Sequence, residues 1–182
     1  LRVLVNGAWG FASVGAFDSK ILLSAVSNAC RMAKVASQRL KTPIKLASAK
    51  VVTDHIEAKP KKNPSAISME NKIKDVSEIN RSVLGFDKRI KSCTVDYLDL
   101  TGSSFFVNSE GTSIQQDKLY VWSRITGSAK SQDVFTYSRE EIGSTKGYEV
   151  FDTQTPQAIG EIVAKRAIEQ LKAKPPKGGS FP

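Results

Sequence analysis

The chain is 182 residues long, 40% hydrophobic and 25% charged, with a formal net charge of +9. Those proportions sit near globular averages and exclude wholesale disorder, a collagen-like repeat and a coiled coil, and the length suffices for a sizeable buried core. No apolar run approaches the ~18 residues of a membrane span and no signal peptide is visible, so the expectation is a cytoplasmic protein with no membrane partner.

Leu1-Arg2-Val3-Leu4-Val5 reads as a strand, and Gly7-Ala8-Trp9-Gly10-Phe11 as a second strand reached through a tight turn. The glycines allow the turn, while Trp9 and Phe11, on one face, would pack apolar surface onto a core. Asp18 or Ser19 caps a helix to about Leu40, with Leu22, Val26, Ala29, Ala33, Ala36 and Leu40 spaced by threes and fours. Its alanines permit close approach to a sheet, and Lys41-Thr42-Pro43 stops it. Val51-Val52-Thr53 lies in a plausible strand, and Lys59-Pro60-Lys61-Lys62-Asn63-Pro64 is a connector. Ser68 caps a second helix to about Leu84, with Ile73, Val76, Ile79 and Val83 facing inward and Gly85 as the stop.

From Lys88 to about Phe151 the period becomes two. Ile90, Ser92, Thr94 and Asp96 alternate with Lys91, Cys93, Val95 and Tyr97. Phe105-Phe106-Val107 then meets a turn at Asn108-Ser109-Glu110-Gly111. Thr112 to Gln116 and Leu119 to Thr126 follow, with a further turn at Gly127-Ser128-Ala129, and the whole reads as an antiparallel meander. Thr155 with Pro156 opens a third helix, striped by Ile159, Val163, Ala167 and Leu171. Pro175-Pro176-Lys177-Gly178-Gly179 is linker-like. The predicted class is α+β, an antiparallel and possibly mixed sheet with about three packed helices. The chain opens on Leu1 inside a strand and stops at Pro182, so a longer parent is expected.

Between Arg31 and Lys91 there are fifteen Lys/Arg and six Asp/Glu, which accounts for the whole +9 excess. That can be a nucleic-acid footprint, yet no aromatic lies between Phe17 and Phe86 to stack on bases, which favours a solvated lysine-rich surface. Cys30 and Cys93 read as core thiols rather than a disulfide. The single histidine, His55, lies in Thr53-Asp54-His55-Ile56-Glu57 with no nucleophile signature beside it, and a zinc site wants a second histidine or a cysteine pair at short spacing. Gly143-Ser144-Thr145-Lys146-Gly147 and Gly7-Ala8-Trp9-Gly10 lack the order of phosphate-binding loops. Asp96 with Asp99, and Glu140 with Glu141, lack neighbours that would split their pKa values. No catalytic, cofactor-binding or metal-binding residue is assigned.

Four segments in register carry a resemblance. Gly7-Ala8-Trp9-Gly10-Phe11-Ala12-Ser13, the stretch Pro64–Asn80 with Glu70-Asn71-Lys72-Ile73, the stretch Val107-Asn108-Ser109-Glu110-Gly111-Thr112, and Gly143 to Gly147-Tyr148-Glu149 together resemble the N-terminal domain of the TldD/PmbA proteins. That family was long described as modulators of DNA gyrase and is regarded as metallopeptidases. The resemblance implies an N-terminal α/β domain over 1–174, and a linker or strand at 175–182 leading to a C-terminal domain. In the TldD branch, which the Gly-Ala-Trp-Gly-Phe and Gly-Tyr-Glu segments favour, that second domain carries a His-Glu-x-x-x-His zinc pattern. This chain ends before any such pattern, and His55 matches no motif position. The resemblance further implies a dimer of family members and peptide or unfolded-protein substrates, with zinc held by the parent and not by this chain. Here the chain would shape the substrate-access cavity, and meander backbone around Ser103–Gln116 would pair with extended peptides. The alternatives are a nucleic-acid-associated protein using residues 31–91 and a purely structural oligomerisation module.

Overall fold

The structure is a computed structural model that describes residues 1–174 and 177–179. The linker expected at 175–182 therefore lies largely outside the described residues. The chain divides into two compact units, Leu1–Lys50 and a second beginning at Val51.

In the first unit, β1 (Arg2–Val5) and β2 (Ala8–Phe11) form an antiparallel hairpin, followed by helix α1 (Ser19–Ser37). The hairpin turns at Asn6 and Gly7, whose φ angles of 51° and 77° give the left-handed two-residue turn that matches strand twist. Asp18 caps α1 by accepting from the Lys20 and Ile21 amides. The residues buried along α1 are Ala25, Ala29 and Ala33. Ala8 and Gly10 of β2 are also buried, and a side chain at Gly10 would overlap the Ala29 carbonyl. Helix and hairpin approach so closely that only Ala and Gly fit between them. Trp9 and Phe11 consequently point outward, 44% and 58% exposed, which corrects the expectation that they pack on the core. The helix ends at Ser37 rather than near Leu40, its last turn tightened by bonds from Arg39 to Ala36 and from Leu40 to Ser37. Pro43 then packs beside Gly7, and the Ile44 amide donates to the Gly7 carbonyl at 3.0 Å.

The second unit holds β3 (Thr53–Ile56), a single 3-10 turn at Pro64–Ala66, α2 (Met69–Gly85), β4 (Ile90–Val107), β5 (Ser113–Ser131), β6 (Val134–Ser144), one helical turn α3 (Val150–Thr153) and α4 (Pro156–Gln170). The sheet is mixed: β5 pairs antiparallel with β4 along its length, and on its other side with parallel β3 and then antiparallel β6. Gly127-Ser128-Ala129 is not a turn but lies inside β5. A Cβ on Gly127 would come within about 3 Å of Val83 and Val163, so this glycine admits the helices to the sheet. The turn falls instead at Gln132-Asp133, where Gln132 adopts φ 51°.

Helices α2 and α4 cover one face of the sheet, burying Ile79, Val83, Ile159, Val163 and Ala167 against Leu119, Val121, Ile125 and Ala129. Gly160 is the close crossing between them, since a Cβ there would strike Ser82 and the Ile79 carbonyl. Ile73, expected inside, is 57% exposed. Lys72 takes the inward position at that turn, only 11% exposed, and its ammonium reaches Asp99 at 2.6 Å. Gly85 is the last helical residue rather than the stop.

Candidate functional site

His55 does acquire partners, through strand pairing rather than sequence proximity. The parallel register of β3 with β5 sets its Nε2 3.4 Å from Asp117 Oδ1, and Ser103, opposite Asp117 on β4, donates to the same oxygen at 3.1 Å. The His55 hydrogen bond, opposed by burial and aided by Ser103, holds the Asp117 carboxyl below its usual range. These three residue types also occur in nucleophilic triads, but the connectivity differs. There the imidazole must receive the hydroxyl proton, whereas here serine and histidine both bind the carboxylate. Ser103 and Asp117 are not signalled by sequence spacing, because the pairing that gathers them spans sixty-two residues.

Among the described residues, no three His, Cys, Asp or Glu side chains converge as a metal site. The described residues do not fit a zinc ion. The adjacent carboxylates diverge to opposite sheet faces: Glu140 meets Arg166, and Glu141 meets Arg124 at 2.8 Å. Burial raises the Asp99 carboxyl pKa, but hydrogen bonds from Lys72 and Tyr97 outweigh it and hold the value below normal. Cys93 is a free thiol pushed up to about 11 by burial, despite a compensating contact from Asn80. Cys30 is also free.

Of the nine Lys/Arg between 51 and 91, Lys59, Lys62, Lys72 and Arg89 are ion-paired with Glu57, Asp152, Asp99 and Asp87. The other six bases of the 31–91 stretch belong to the first unit, which in all has eight basic residues and one acidic, for a net +7. The basic excess is thus concentrated in Leu1–Lys50.

Two surfaces remain available for recognition. The sheet face opposite the helices exposes Leu98, Leu100, Tyr120 and Tyr137 in the alternate positions of β4, β5 and β6. Among the described residues the outer edge of β4 pairs with no strand, and from Leu100 to Val107 it carries no charged residue and no proline. Among the described residues, the β4 part of Ser103–Gln116 keeps a free edge, whereas β3 occupies Ser113–Gln116.

The Gly147-Tyr148-Glu149 segment is structural. Gly147 takes φ 146°, with Lys62 and Pro60 occupying the space of a side chain. Tyr148 is buried, its hydroxyl donating to Asp75 at 2.7 Å, and Glu149 accepts the Lys61 and Lys62 amides at 3.2 and 3.0 Å. Burial, with Asp75 assisting, raises the Tyr148 phenol pKa. The motif thereby ties the connector to the end of the sheet.

The second unit is α+β with a mixed sheet, and sequence comparison identifies its kind. The PmbA/TldA metallopeptidase central domain matches residues 62–171, more than half of the chain. The chain belongs to the TldD/PmbA metallopeptidase family. It is 28% identical to a metalloprotease of Methanothermobacter thermautotrophicus over 183 aligned positions, covering all of this chain and 38% of that protein. It is also 27% identical to a metalloprotease of Methanocaldococcus jannaschii, all of this chain matching 39% of the relative. A zinc metalloprotease TldD homolog of Saccharolobus solfataricus aligns at 29% identity over 62% of this chain and 25% of its own length. The fold is shared with proteins suggested to modulate DNA gyrase. The one from Bacteroides thetaiotaomicron has TM-score 0.74 and 16% identity, covering 95% of this chain and 39% of its own. The one from Thermotoga maritima has TM-score 0.70 and 15% identity, covering 98% and 38%. The chain spans about two fifths of the length of these fuller relatives.

Proposed function

We propose that this chain is a non-catalytic part of a zinc metallopeptidase of the TldD/PmbA family, shaping the path by which polypeptide reaches a zinc site built from other residues. The observation that carries this reading is the contrast between relatives named metalloproteases and a matched region whose described residues gather no metal-ligand cluster. The zinc would polarise the scissile carbonyl and activate water. The chain's own part is to offer backbone. The free β4 edge from Ser103 to Val107 can add an extended peptide through main-chain hydrogen bonds, which are indifferent to side-chain sequence. A dimer with a second family member, in the cytoplasm, completes the enclosure in this reading.

Hydrogen exchange tests the backbone role in the full-length parent. An extended peptide is expected to slow exchange of β4 amides between Ser103 and Val107 while leaving Ser113–Gln116 unchanged. Unaltered β4 exchange at saturating peptide rejects strand addition.

A further inference from the structure

The basic residues of the first unit have no acidic counterpart. Its one carboxylate, Asp18, is taken up by the Lys20 and Ile21 amides, and among the described residues none of its eight bases forms an ion pair. A surplus of +7 held on fifty residues attracts a polyanion.

The same unit supplies the aromatic surface that the sequence lacks between Phe17 and Phe86. In the hairpin Arg2 stands opposite Phe11 and Leu4 opposite Trp9, and residues opposed in this way share a face. Ala8 and Gly10 take the face against α1, so the other face presents Trp9 and Phe11, 44% and 58% exposed. Two residues apart on one strand, their rings are set ~7 Å from each other, with exposed Arg2 beside Phe11. At the turn end of the hairpin, Pro43 packs on Gly7 and the Ile44 amide donates to the Gly7 carbonyl at 3.0 Å. That contact tethers the exposed Lys41 and Lys45, which lie within two residues of it, beside the turn. The aromatic strip thus has a fixed cation at one end and two lysines at the other.

We propose that the outer face of the β1–β2 hairpin binds single-stranded nucleic acid. Neighbouring unstacked bases lie on Trp9 and Phe11, while Arg2 at one end and Lys41 and Lys45 at the other meet phosphates. Stacking on aromatic side chains tolerates any sequence, because every base offers a π-face, and it disfavours a duplex, whose bases are already stacked on each other. The site goes beyond the peptide path of the proposed function and lies in a different unit from β4. Its failure leaves the β4 exchange result untouched, and failure at β4 leaves this site standing.

The test is fluorescence anisotropy of a labelled oligothymidylate of about twelve nucleotides, within the usual footprint of a single-strand site, titrated with the full chain. Three phosphate contacts on a single strand predict an affinity that falls ~20-fold between about 50 and 200 mM salt. Trp9→Ala and Phe11→Ala are each expected to weaken binding roughly 10-fold at constant salt, with an unchanged circular dichroism spectrum because both side chains point outward. Arg2→Gln should make the salt dependence shallower. Phe135→Ala removes an aromatic of the second unit that is 62% exposed, and should leave the affinity as it is. No binding, an affinity that Trp9→Ala and Phe11→Ala leave intact, tighter binding of a duplex of the same length, or equal competition by polyglutamate overturns the proposal.

Discussion

Leu1–Lys50 and the unit beginning at Val51 solve the same packing problem in opposite ways. The first lays a helix on a two-stranded hairpin and buries only small residues, Ala8, Ala25, Ala29 and Ala33, leaving Trp9, Phe11, Phe17 and Leu23 exposed. The second closes two helices over one sheet face and buries branched side chains such as Ile79, Val83, Ile125 and Ile159 at 0–1% exposure. Apolar area removed from water sets most of the stabilisation, at about 25 cal/mol per Å². Close approach through alanine therefore gives the first unit geometry with little burial, and a two-stranded hairpin adds little by itself. Charge sharpens the contrast: the first unit is +7, and the second, with nineteen basic and seventeen acidic residues, is +2.

The largest expected effect follows directly. A fragment of residues 51–174 should unfold cooperatively in urea, whereas residues 1–50 alone should show no cooperative transition by circular dichroism. A folded 1–50 fragment would break the comparison. At single residues, Ile79→Ala should cost about 2–5 kcal/mol in chemical denaturation, as buried large-to-small changes do. Trp9→Ala, at an outward position, should cost under about 1 kcal/mol.

A smaller effect concerns acid. Asp99 has a depressed folded-state pKa, so its contribution is complete above the unfolded value of about 3.9 and is lost as pH falls through the lower folded value. Asp99→Asn should reduce stability near neutrality and flatten the decline below about pH 4, measured from denaturant midpoints across that window. The least change is kinetic: Cys93, with its thiol raised to about 11, should alkylate slowly at pH 8 in the native chain and much faster in urea.

Much of this contrast is legible in the residues. Asp18, Ser68 and Thr155 each accept an amide at the start of the helix they cap, because capping is a local contest between side chain and water for free N–H groups. The alanine stripe of α1 likewise announces close approach. What local rules misplace are residues whose role is set by a neighbour distant in sequence. Gly127 resembles a turn until α2 and α4 are set against it, and Trp9 resembles a core residue until Gly10 is seen to carry the contact. His55, Ser103 and Asp117 meet only because β3 runs parallel to β5, a pairing that leaves no spacing signature. The Gly-Tyr-Glu segment marks the family in sequence, while its work, pinning Lys61 and Lys62 to the sheet's end, emerges from the fold.

The proposed function holds that this chain, a member of the TldD/PmbA metallopeptidase family, supplies none of the ligands of a metal site. Equilibrium dialysis of the purified chain against zinc, with metal content read by mass spectrometry, tests it most directly. The account predicts no stoichiometric zinc and no change on replacing His55 with alanine. One equivalent of tightly held zinc that is lost with His55→Ala would contradict it.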